Sequence, residues 1–76
     1  MGTAAAARLL LTFGDYDRCL RLSGAEAVRL APLVEEWWRR GATDAEVRRA
    51  VTWSVPPRLP SAYGHTEARL RAGRSF

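Results

Sequence analysis

The stretch RRGATDAEVRRAVTWSVPP, Arg39 to Pro57, decides how this chain folds. Thr43 stands three residues before Glu46. That spacing makes a capping box, in which each side chain satisfies a backbone N–H that a helix start leaves free. Val47, Ala50 and Val51 then share one face while Arg48 and Arg49 point elsewhere, which predicts a helix from Asp44 to about Thr52. The short gap before it demands a tight corner, which Gly41 supplies. After it, Pro56 and Pro57 disfavour helix in the residues just before them, and Pro60 prolongs the break. Residues 55–60 therefore read as a Pro-rich, extended connection, with Trp53, Val55 and Leu59 folding back onto the core.

Towards the N-terminus, LSGAEAVRLAPLVEEWWRRG repeats the logic, with Ser23 and Glu26 as a capping pair. Ala27, Leu30, Val34 and Trp37 recur at helical spacing, and Ala31 and Trp38 widen the stripe. Arg39 and Arg40 suit the negative end of the helix dipole, and Gly41 stops the run. Pro32 has no N–H to give the Val28 carbonyl, so a kink or a restart is expected there. Residues 1–19 form an N-terminal segment, a flexible start followed by a helix or a short strand, with two readings. One is a helix capped by Thr3; the other is a strand from Leu9 to Phe13 that turns at GDYD and returns as DRCLRL. At the other end, SAYGHTEARLRAGRSF closes the chain with a helix that starts at Ser61 or at Thr66, with Leu70 in line with Thr66. Gly64 and Gly73 weaken its ends. The fold class is all-α: a small bundle of about three short helices over residues 20–76, with a short N-terminal strand or hairpin as an option.

The chain has 76 residues, enough for one small domain. A chain of this size buries only about 60% of the surface it exposes when unfolded, so modest stability is expected. One cysteine excludes an internal disulfide, and one histidine adds little towards a metal site; no metal and no cofactor are expected. All twelve basic residues are arginine against eight acids, a formal charge of +4, and Lys, Ile, Asn and Gln are absent. This composition fits a GC-rich bacterial genome, so codon bias accounts for part of the arginine. The start, MGTAAAARLLLTF, is interrupted by Arg8 and is too short to span a membrane, which takes about 20 apolar residues. A cytoplasmic protein without membrane contact is expected.

Three groups of side chains invite a functional reading. Trp37 and Trp38 are neighbours and cannot both sit centrally in one apolar stripe. Together with Trp53 they either fill the core, the favoured reading, or anchor a protein interface. Arg48, Arg49, Arg58, Arg69, Arg71 and Arg74 are the candidate nucleic-acid contacts, since the last third of the chain sets four arginines against Glu67 alone. Against this, Glu35 with Arg39, Glu36 with Arg40 and Asp44 with Arg48 have the spacing of self-compensating helix pairs. Cys19, beside Arg18 and Arg21, offers either an acidified thiol or, more simply, an ordinary half-buried one. His65 has no triad partners in sequence, and there is no Gly-rich phosphate loop and no zinc spacing. An enzyme is not expected.

The segment LVEEWWRRGATDAEVRRAV, Leu33 to Val51, resembles the first two helices of bacterial helix-turn-helix domains, on Gly41, Thr43, Glu46 and Val47. Where that family has a short turn and a recognition helix, this chain has TWSVPPRLP, which delays any recognition element to Ser61 onward. The wider layout, LRLSGAEAVRLAPLVEEWWRRGATDAEVRRAVTWSVPP with a small helix after Pro60, is similar to a helical module near the C-terminal end of actinobacterial, Streptomyces-like helix-turn-helix proteins. That likeness runs from Leu20 to about Arg71. It implies a non-catalytic, DNA-associated module of transcription regulation. The alternative is a protein-interaction or adaptor module docking through tryptophans, and the oligomeric state stays open.

Overall fold

The computed structural model describes residues 2–72. Four α-helices and one 3-10 turn follow in order: α1 (Thr3–Tyr16), the turn Arg18–Leu20, α2 (Gly24–Arg39), α3 (Asp44–Thr52) and α4 (Ala62–Ala72). The all-α class holds, and two details differ from expectation. The three helices expected after residue 20 are joined by a fourth, α1, in the N-terminal segment, and no strand or hairpin occurs among the described residues.

α1 is a helix because its alanines and leucines place Ala6, Ala7, Leu10 and Phe13 on one buried face. Gly2 occupies the cap position, and Thr3 is the first helical residue rather than the cap. Its hydroxyl lies 3.4 Å from Glu35 Oε2, near the end of α2, so α1 and α2 run antiparallel. At its other end α1 stops where Asp17 turns extended and donates its N–H to the Phe13 carbonyl. The Asp17 carboxylate then accepts from the Cys19 N–H at 2.9 Å and caps the 3-10 turn. What reads as a hairpin turn in sequence is thus a helix stop, and it drops Leu20 and Leu22 into the core. Gly14 makes this possible: a side chain there would meet the Arg21 Cα at 3.1 Å.

α2 carries the expected capping box, with Ser23 Oγ accepting from the Glu26 N–H and Glu26 Oε1 from the Ser23 N–H. Its buried stripe is Ala27, Leu30, Ala31, Val34 and Trp37. Pro32 does not restart the helix, for α2 runs continuously through it. Val28 and Pro32 both lie on the exposed face, so water can take the place of the missing N–H. The corner after α2 is a Schellman motif: the Gly41 N–H donates to the Trp38 carbonyl, the Ala42 N–H to the Trp37 carbonyl, and Gly41 has φ +93°. α3 starts with the second capping box, Thr43 with Glu46, and covers the expected residues. α4 starts at Ala62, just after Ser61, whose hydroxyl accepts from the Gly64 N–H at 3.1 Å. One apolar cluster joins all four helices, from Ala6 and Phe13 through Trp37 and Val51 to Leu70.

Candidate functional site

The end of α3 is the point from which the candidate surface is built. A helix leaves its last four carbonyls without intrahelical donors. Here α4 provides donors. His65 Nε2 lies 2.9 Å from the Val51 carbonyl, which can only accept, so this nitrogen carries the hydrogen. One turn on, the Arg69 guanidinium donates to the carbonyls of Ala50 and Ser54, each at 3.2 Å, and to that of Trp53. A cation at a helix C-terminus also complements the dipole. Within this clamp Ser54 adopts φ +52°, a left-handed conformation that costs a residue with a Cβ about 1 kcal/mol or more. The chain therefore turns sharply after α3.

This turn decides where Trp53 goes. Its backbone carbonyl is held inward by Arg69, and its ring stands 63% exposed instead of folding back onto the core. Val55 and Leu59 do pack against the core, as expected. The Arg49 guanidinium lies over the Trp53 ring, 5.7 Å from its centre. On the adjoining side of α3, Arg48 lies over Tyr16 at 5.4 Å, and Tyr16 is 64% exposed. Such cation–π contacts are worth about 0.5–1 kcal/mol at exposed sites and hold flexible side chains in one place. The result is an arginine pair on α3 flanked by two solvent-facing rings. Arg58 is exposed in the Pro-rich connection that follows. Sequence reasoning did not single out Tyr16, because it lay in the supposed hairpin turn; its place at the last residue of an amphipathic helix is the signal that was there.

The remaining candidates go elsewhere. Arg69 is half-buried in the clamp, and Arg71 pairs with Glu67 at 3.1 Å on the outer side of α4. Arg74 lies outside the described residues. Trp37 is buried and donates its indole N–H to the Leu70 carbonyl at 2.9 Å, tying α2 to α4. Trp38 is half-buried and lines a shallow groove with Ala5, Arg8, Leu9, Thr12 and Asp44; its indole nitrogen is buried without a partner. Of the three tryptophans, Trp53 alone is broadly exposed.

Of the expected charge pairs, Glu36 with Arg40 forms, at 3.5 Å, while Arg39 bonds Glu36 at 2.6 Å in place of Glu35. The Arg39 guanidinium, first by its hydrogen bond and then by its charge, holds the Glu36 carboxyl below its ordinary range, and Glu36 raises Arg39 in turn. Among the described residues Asp44 and Arg48 make no ion pair; Arg48 is taken up by Tyr16 instead. Desolvation, then the Asp17 carboxylate, pushes the Cys19 thiol above its usual range, opposite to the acidified thiol considered from sequence. Among the described residues no group of three or more His, Cys, Asp or Glu side chains is placed to hold a metal ion. No helix there is long and apolar enough to cross a membrane. No family model matches the chain, and comparison with curated proteins and with solved structures gives no match either.

Proposed function

We propose that this chain is a non-catalytic, DNA-associated regulatory module of the cytoplasm, and that its contact surface is the exposed side of α3 with the connection after it. The observation that supports this reading is the set Arg48, Arg49 and Arg58. All three lie outside the ion pairs that occupy Arg39, Arg40 and Arg71, and two of them are held beside exposed aromatic rings. The formal charge of +4 adds a weak general attraction for polyanions. Arg69 serves this surface from behind, by fixing the end of α3.

Fluorescence anisotropy with labelled DNA, between about 50 and 200 mM salt, tests the reading. Three phosphate contacts predict a log–log salt slope of about −2 to −3. Replacing Arg48, Arg49 and Arg58 together by alanine removes most of that slope. Absence of binding at the lowest salt ends the proposal. One observation favours a second reading, docking of a protein partner: the exposure of Trp53. That mode predicts binding that salt barely changes and that Trp53→Ala abolishes.

A further inference from the structure

We propose that the surface made by Tyr16, Arg48, Arg49 and Trp53 takes single-stranded rather than double-stranded DNA. The proposal rests on the DNA reading above and names the form of DNA.

Neither candidate helix is equipped to read a duplex. A recognition helix contacts base edges chiefly through its N-terminal residues in the major groove. The first turn of α3 carries Asp44 and Glu46, both exposed and both repelled by phosphate. α4, where a delayed recognition element falls, turns Gly64, Ala68, Arg71 and Ala72 to solvent, a face on which Arg71 is the one long polar side chain. Its long polar side chains are engaged: His65 and Arg69 on the carbonyls at the end of α3, and Arg71 on Glu67.

The basic end of α3 is built differently. Two rings, Trp53 at 63% and Tyr16 at 64% exposure, stand in water with a guanidinium over each. Ring faces stack on bases of any kind while neighbouring arginines neutralise the backbone, and this combination suits an unpaired strand. A duplex hides its base faces inside its own stack, so the rings gain nothing from it. The cation–π contacts hold the arginines beside the rings before any strand arrives, which lowers the ordering cost of binding.

The test compares an oligothymidylate of about 15 nucleotides with a duplex of equal length, by anisotropy on the full chain at low salt. The oligothymidylate is expected to bind more tightly. Trp53→Ala is expected to weaken it by roughly 5-fold or more, the lower bound for loss of one stacked base, whereas Trp53→Phe keeps most of the affinity. Trp53 is exposed, so circular dichroism of Trp53→Ala should match the parent. Duplex binding that equals or exceeds single-strand binding overturns the proposal. So does an unchanged affinity in Trp53→Ala; if Arg48→Ala with Arg49→Ala still weakens binding in that case, the broader DNA reading stands without this one. Failure of both probes to bind ends both.

Discussion

The Thr66 hydroxyl is fully buried and has no hydrogen-bond partner. A buried hydroxyl without a partner costs about 1–3 kcal/mol relative to water. Valine has the same branched shape without that oxygen. Thr66→Val should therefore raise stability by up to about 1 kcal/mol, read as a higher urea midpoint with an unchanged slope. Trp37 is the opposite case. Its ring is packed among core residues and its N–H meets the Leu70 carbonyl at 2.9 Å. Trp37→Phe keeps an aromatic ring but leaves a gap and takes the indole donor from the Leu70 carbonyl, and should cost about 2–4 kcal/mol in the same experiment. Neighbouring indoles thus have separate fates, because a helix turns by about 100° per residue and only one of two adjacent rings can face inward.

α2 and α3 were legible in the sequence because the signals that bound them are local. Ser23 with Glu26 and Thr43 with Glu46 each fix a start, and Gly41 fixes a corner. α1 was legible only as one of two readings, for its cap is a glycine without a side chain and its end is set by Asp17, whose carboxylate serves the next turn. The role of Arg69 was also hidden: a basic residue in a basic tail carries no mark that it is matched to carbonyls of residues 50, 53 and 54. The exposure of Trp53 follows from that same match, so it too was out of reach. Arg69→Met keeps the apolar stem and removes the donors; it should cost about 1–3 kcal/mol and blunt any salt-dependent binding by loosening α3. At the end of α2, charge gives a pH signature. The folded-state pKa of Glu36 is depressed, so its contribution is present above the usual carboxylate range and lost as pH falls through the lowered value. Glu36→Gln should flatten the acid limb of stability against pH. The effect is small, because the group is exposed and solvent screens it. Denaturant midpoints taken across the acid range measure it.

The molecule measures 31 × 26 × 17 Å, about two packed helices in its thin dimension. One apolar cluster serves all four helices at once. Isolated helices shorter than about 12 residues barely persist in water, which makes the 9-residue α3 dependent on its neighbours. That dependence has a definite form, since His65 and Arg69 fasten its last turn from a helix that begins nearly ten residues later in sequence. Fraying of α3 and lifting of α4 are then a single opening event. In deuterium exchange, the amides at the close of one helix and the middle of the other should lose protection together, and nothing on the far side of the Pro-rich link can relax without being felt beneath the rings.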